Sequence, residues 1–194
     1  MRRAIHALVL GAAMLLSAMP ALAQRALPGD SIYQVQATMT DQSGRHLAWH
    51  ALRGRPTVVS MFYAGCHVMC PLIIGSGKSL QTQLTAGEQA RLDFAMISID
   101  PARDTPAVLA DVARQHRLDT RRWRLLQPQA RDVRTLSAAL GVRYRAQADG
   151  SFSHTSVLIL LDGDGREVAR SQVESLQPDP AFVATVRAHL ATLH

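Results

Sequence analysis

Apolar and polar positions along the chain predict short strands and helices that follow one another closely. The mildly alternating stretch 32–39 is followed by the turn-forming residues 41–44 and by a second short stretch, 45–49. This pattern predicts an N-terminal β-hairpin. The next run, 57–62, is β-branched and apolar almost throughout, which is typical of a strand buried inside a sheet.

Helical and strand patterns then alternate until the chain ends in a hairpin and a helix. Helices are predicted at 71–84, 106–116, 132–140 and 179–194, and strands at 92–99, 124–126, 142–144, 155–161 and 167–169. Thr105 suits the N-cap of the second helix, and Gly141 suits the end of the third. Gly75 and Gly77 weaken the first helix and indicate either close packing or a bent helix. This order predicts a three-layer α/β domain with a mixed central sheet.

The first 23 residues differ in character from the rest. They begin with Arg2 and Arg3, continue with the apolar run 4–19, and end in the small-residue sequence Ala-Leu-Ala at 21–23. This pattern predicts a cleaved signal peptide, a mature chain that starts at Gln24, and a periplasmic protein that meets membranes only through its partners. A retained anchor is less favoured because the apolar run is shorter than the roughly 20 residues that span a bilayer. Residues 24–194 are expected to form a single domain.

Composition narrows the possible functions. The net charge is +6, and the arginines are scattered rather than clustered in a stripe, which argues against a nucleic-acid-binding protein. There are two cysteines, Cys66 and Cys70. Because thiols oxidise outside the cytoplasm, two such close cysteines are expected either to pair as a disulfide or to hold a metal ion.

The two cysteines lie where the buried strand 57–62 is followed by the helix 71–84. Ligands and reactive groups favour the carboxyl ends of strands in α/β sheets. A helical spacing of four places both sulfurs on one face with Cα atoms roughly 6 Å apart, which suits a disulfide or a shared metal ion. Two buried cysteines that act only as small apolar residues are a weaker explanation in an oxidising compartment.

Three motifs occur in an order that resembles the Sco/SenC family: the run S-M-F-Y-x-x-C-x-x-x-C-P at 60–71, the stretch 98–106, and Ser153-His154-Thr155 before a strand that ends in D-G-D-G. The resemblance implies a thioredoxin-like fold in which Cys66, Cys70 and His154 bind copper. It also implies copper supply to the copper-bearing subunit of a cytochrome oxidase. Other periplasmic copper carriers are the further partners we expect, and the chain is expected to be a monomer.

The chain departs from the family pattern at two places beside these ligands. The family often has Pro-Asp where this chain has His67-Val68, and often an Asp where it has Ser153.

The chemistry of the three ligands also suits a copper carrier, because thiolate sulfur prefers Cu(I) and imidazole accepts both Cu(I) and Cu(II). Zinc is a less favoured metal than copper, because a structural zinc site takes four ligands. The candidates for a fourth ligand are His67 and Asp100.

Other polar and sulfur-containing residues have plainer interpretations. His67 is expected to point outward and Met69 to fill the core, although either could donate to copper. Asp100 and Asp104 are expected to organise the turn and cap the following helix. The histidines without ligand spacing are expected at the surface: His46, His50, His116, His189 and His194.

The main alternative function is a thiol:disulfide reductase that keeps the cysteines of a copper-site protein reduced. Cys66 would be its attacking thiolate and Cys70 its resolving thiol. Reductases of the thioredoxin type resemble one another in a C-x-x-C pair that faces a cis-proline. This chain has three residues rather than two between its cysteines, and it has His154 where the cis-proline would be expected. A peroxiredoxin-type peroxidase is disfavoured because Tyr63 stands where that family has Thr. A disulfide that serves only as a structural clip leaves His154 without a role.

Overall fold

The computed structural model describes residues 26–66 and 69–193. The predicted signal peptide, residues 1–23, lies outside these described residues. Within them, no helix is both long enough and apolar enough to cross a membrane.

Strands and helices alternate through the described part of the chain. The strands are β1 (Thr38–Asp41), β2 (His46–Ala48), β3 (Thr57–Phe62), β4 (Asp93–Ser98), β5 (Trp123–Pro128), β6 (Tyr144–Ala146), β7 (Phe152–His154), β8 (Val157–Leu161) and β9 (Glu167–Gln172). The α-helices are α1 (Met69–Gln83), α2 (Ala86–Gln89), α3 (Pro106–Gln115), α4 (Val133–Ala139) and α5 (Pro180–Ala191). Short 3₁₀ turns occur at Ile32–Gln34, Trp49–Leu52 and Ala130–Asp132.

Seven strands form one mixed sheet in the order β2-β1-β5-β4-β3-β8-β9. The central strands β3, β4 and β5 are parallel, and the outer strands join antiparallel. Every residue of β3, β4 and β8 is buried, so both faces of the sheet are covered. The predicted three-layer arrangement with an N-terminal hairpin, β1–β2, is therefore confirmed.

Several predicted boundaries were wrong. The stretch 32–39 begins as a 3₁₀ turn, because the Ser31 side chain accepts the Tyr33 N–H and Tyr33 packs edge-on against Trp49 at 5.2 Å. The strand predicted at 142–144 lies at β6, and the one predicted from residue 155 begins at Val157. Helix α2 and strand β7 were not predicted. β7 pairs with β6 to form a hairpin separate from the main sheet.

The predicted close packing of α1 is confirmed at Gly77. A Cβ added there would lie 2.7 Å from the Trp123 ring. That ring cannot move aside easily, because it stacks on Phe94 with 4.2 Å between centroids and its Nε1–H donates to Gln81 at 3.0 Å. Gly77 thus brings α1 close to the sheet that it covers.

Gly77→Ala should destabilise the protein. Overpacking a core typically costs about 1–3 kcal/mol, which exceeds the gain of up to about 1 kcal/mol in helix propensity. Gly87→Ala in α2 is the matched control, since a Cβ there meets nothing within 4 Å and should not destabilise. Urea unfolding measures both changes. A Gly77→Ala variant as stable as the original chain would contradict the packing described here.

Candidate metal centre

The cysteine segment begins where β3 ends and leads into α1. The Cys66 N–H donates to the Tyr63 carbonyl at 3.2 Å, which closes a tight turn after the strand. The Tyr63 N–H donates to Cys70 Sγ at 3.4 Å. The backbone leaving β3 therefore contacts the second sulfur directly, so the predicted position of both cysteines at the strand-to-helix junction is confirmed.

The two thiols lie in different environments. Cys66 is half-buried, whereas Cys70 is only 3% exposed. Burial raises the pKa of the Cys70 thiol, and the neighbouring Cys66 and Asp104 raise that pKa further. Cys70 therefore holds its proton at neutral pH, and a metal ion that binds its sulfur must displace that proton.

Asp104 has a different role from the predicted helix cap. The cap of α3 is Thr105, whose hydroxyl accepts the Val108 N–H. The Asp104 carboxylate is 1% exposed and accepts the Ala64 N–H at 3.1 Å and the Ser98 hydroxyl at 2.6 Å. It faces away from the helix start because these two donors, the half-buried Ala64 N–H in the cysteine loop and the buried Ser98 hydroxyl at the end of β4, need an acceptor. Asp104 thus ties the cysteine loop to β4.

His154 is the last residue of β7, opposite Tyr144 of β6. Its Nδ1 lies 3.1 Å from the Thr155 carbonyl oxygen. A carbonyl only accepts, so Nδ1 carries the hydrogen and Nε2 presents a lone pair. Nε2 is buried and has no hydrogen-bond partner among the described residues. Burial also lowers the pKa of His154, so the imidazole is neutral at pH 7 and able to act as a metal ligand.

Tyr63 connects the His154 hairpin to the cysteines. Its hydroxyl accepts the Phe152 N–H at 3.3 Å and lies 3.4 Å from the Phe152 carbonyl, and its ring packs edge-on to His154 at 6.0 Å. Burial and the two nearby cysteines raise the pKa of the Tyr63 phenol. In the sequence, Tyr63 stands out only as part of the S-M-F-Y run and as an argument against a peroxidase, so its contact with the hairpin was not predicted.

Arg103 makes a second connection to the hairpin. Its guanidinium lies 5.8 Å from the centroid of the Phe152 ring and donates to the Gly150 carbonyl at 2.6 Å. The same side chain pairs with Asp100. The Asp100 carboxylate, a candidate fourth ligand in the sequence, is therefore already engaged by an arginine. It does not cap α3 either.

The three predicted ligands occupy one region but do not form a finished coordination shell. Over residues 26–66 and 69–193, no three His, Cys, Asp or Glu side chains converge in a ready-made metal site. Met69 is half-buried at the start of α1 and does not belong to the core, contrary to prediction. His67 lies outside the described residues.

Two of the histidines predicted at the surface are half-buried: His116 and His189. His116 follows α3 and lines a pocket of about 250 Å³ together with Cys66 and Cys70. There the Lys78 ammonium of α1 donates to the His116 carbonyl at 2.6 Å, a contact between distant segments that no local spacing reveals. His46 and His50 are exposed as predicted, and His194 lies outside the described residues.

Comparison with known proteins places this chain among relatives of one family. The family model SCO1/SenC matches residues 27–191. A protein of Stutzerimonas stutzeri named for copper binding is 28% identical over 146 residues, which cover 73% of this chain and 67% of that protein.

Solved structures share the fold. A SCO1/SenC family lipoprotein from Bacillus anthracis superposes with a TM-score of 0.71 at 21% identity, covering 80% of this chain and 94% of that one. Bradyrhizobium japonicum ScoI, solved with copper bound, gives 0.66 at 21% identity and covers 79% and 97%. These likenesses confirm the predicted thioredoxin-like fold class. Since the family model spans most of the sequence, the chain belongs to the SCO1/SenC family.

Proposed function

We propose that this chain is a periplasmic copper-binding metallochaperone that supplies copper to the copper centre of a cytochrome oxidase. Membership of the SCO1/SenC family supports this function, as do a relative named for copper binding and a similar structure solved with copper. Export to the periplasm rests on the signal-like residues 1–23. In this proposal copper is the cargo, and Cys66, Cys70 and His154 are its ligands.

The observation that carries the proposal is the lone pair on His154 Nε2. A buried nitrogen without a partner is costly, and metal coordination would satisfy it. The two thiols across Tyr63 provide soft sulfur for Cu(I), and the imidazole allows the set to accept Cu(II) as well. The Thr155 carbonyl holds the ring in the tautomer that coordination through Nε2 needs.

Copper held by all three side chains requires some closure of the site. Because the three ligands do not already converge, the β6–β7 hairpin and the Cys66 turn must move toward each other. Tyr63 and Arg103 keep the hairpin next to the cysteines, so this movement can be short. Asp104 holds the other side of the site in place through Ala64.

Copper stoichiometry in the two redox states tests this function. The reduced chain should bind one copper ion, and prior oxidation of Cys66 and Cys70 to a disulfide should prevent binding, since a disulfide offers no thiolate. Metal analysis after gel filtration, with thiols counted in parallel, measures both states. Undiminished copper affinity in the oxidised chain would exclude the proposed ligands.

Thiol:disulfide reduction is the second candidate, favoured by the unequal exposure of the cysteines. The more accessible Cys66 thiolate would attack a disulfide of the substrate protein, forming a mixed disulfide and releasing one substrate thiolate. Cys70 would then attack the Cys66 sulfur, forming the Cys66–Cys70 disulfide and releasing the second thiolate. In these two steps, two electrons pass from the Cys66 and Cys70 thiols to the substrate protein. Burial raises the pKa of the Cys70 thiol, which slows this second attack.

A further inference from the structure

A second pocket, of about 440 Å³, is lined by residues of α3 and of the turn between β1 and β2, and it shares no lining residue with the pocket at the cysteines. Helix α3 runs from the carboxyl end of β4 back to the amino end of β5, and the pocket surrounds its last turn. The cysteines, by contrast, follow the carboxyl end of the parallel strand β3. Four arginines from separate segments line this pocket: Arg45, Arg114, Arg117 and Arg124.

The backbone conformation of Arg117 is unusual for an arginine. Helix α3 ends with Arg117 N–H bonded to the Arg114 carbonyl and Leu118 N–H bonded to the Ala113 carbonyl, at 3.0 and 2.9 Å. This motif places residue 117 in the left-handed region, at φ +52°, where glycine is strongly preferred. Helix α4 ends in the same motif with Gly141 at φ +63°. At Arg117, therefore, an arginine occupies a position at the pocket whose backbone conformation glycine would adopt with less strain.

The positive charge of the pocket is only partly neutralised, because Arg45 pairs with Asp41 and Arg114 pairs with Asp111, whereas the other two arginines form no ion pair among the described residues. Its one lining carboxylate, Asp41, is 3% exposed and is already bound by Ser43 and Arg45. Arg124 is half-buried on β5 without an ion-pair partner among the described residues, and Arg117 likewise forms no ion pair there. A half-buried guanidinium such as that of Arg124 is normally paired, and Arg117 is exposed, so both side chains leave donors for an added anion.

We propose that this arginine pocket binds a phosphate-type oxyanion. Planar guanidinium groups approaching from different segments match the oxygens of a phosphate, and the exposed Thr120 hydroxyl lies on the same wall. The phosphate can belong to a soluble molecule or to the headgroup of an anionic phospholipid. The pocket is distinct from the candidate metal centre and does not depend on copper.

Calorimetric titration of the reduced mature chain with inorganic pyrophosphate, at constant ionic strength, tests the site. Arg124→Gln and Arg117→Gly should each weaken binding by about ten-fold or more, as expected for loss of a charge-assisted hydrogen bond. Arg134→Gln removes the same charge from an exposed position outside the pocket and should bind like the original chain. Arg117→Gly should also raise the melting temperature without anion, because glycine relieves the left-handed strain.

Vesicles of phosphatidylcholine with and without phosphatidylglycerol distinguish the two sources of phosphate. Binding to the anionic vesicles that is lost in Arg117→Gly supports a lipid headgroup, and pyrophosphate binding without vesicle binding supports a soluble phosphate. No pyrophosphate binding by the original chain would overturn the proposal. An equal loss of binding in Arg134→Gln would overturn it too, since the effect would then be one of net charge.

Discussion

Cys70→Ser should lower the affinity for Cu(I) by at least about 100-fold, and Cys66→Ser should do the same. A serine hydroxyl is a hard ligand and keeps its proton at neutral pH, so it cannot replace a soft thiolate. Competition with a Cu(I)-specific chelator measures the loss. Far-UV circular dichroism tests whether each variant retains its fold. We expect that it does, because replacing cysteine by serine removes no bulky side chain.

Met69→Leu is the matched control for both cysteine variants. It removes the third sulfur of this segment while conserving volume, and Met69 is half-buried rather than part of the core. Copper affinity should therefore stay unchanged. A large loss in Met69→Leu, or tight Cu(I) binding in either serine variant, would show that the ligand set differs from Cys66, Cys70 and His154.

His154→Ala should weaken copper binding by at least about 10 to 100-fold while disulfide exchange continues. The imidazole is a ligand in the copper function but only a neighbour of the sulfurs in the reductase function. Exchange with a small disulfide should change only modestly, because both sulfurs and their spacing remain. Copper competition and exchange rates on the same preparation measure the two effects.

His116→Ala is the control for His154→Ala. It removes another half-buried imidazole that lines a pocket with both cysteines, but on the α3 side. Copper affinity should not fall in this variant. If His154→Ala keeps its copper affinity while exchange collapses, His154 acts on the thiols and the reductase function should replace the copper function.

The buried strands and the helix starts could be predicted because local patterns determine them. The apolar run at β3 has a hydrophobic side chain on both faces of the strand, and Thr105 and Pro106 mark the start of α3. The β6–β7 hairpin could not be located this way. Its strands are three residues each and partly exposed, and what holds them is contact with Tyr63 and Arg103, which lie far away in the sequence.

The candidate site was predicted unevenly for the same reason. Cys66 and Cys70 are close in sequence, so their chemistry could be inferred from spacing and position after a strand. His154 was found only through the resemblance to a family, because 84 residues separate it from Cys70. Asp104 was assigned to the helix start by its position, whereas the Ala64 N–H and the Ser98 hydroxyl determine where its carboxylate points.

The separate β6–β7 hairpin gives His154 a local stability different from that of the cysteines. A two-stranded hairpin is marginally stable alone, and segments held by few contacts open at free energies well below that of global unfolding. Cys70, packed among fully buried strands, shares the stability of the core. We therefore expect amides of β7 to exchange with solvent sooner than those of β3. The residence time of a bound ion would then be set by the rate at which the hairpin opens, whereas the melting temperature of the protein is set by the stability of the core.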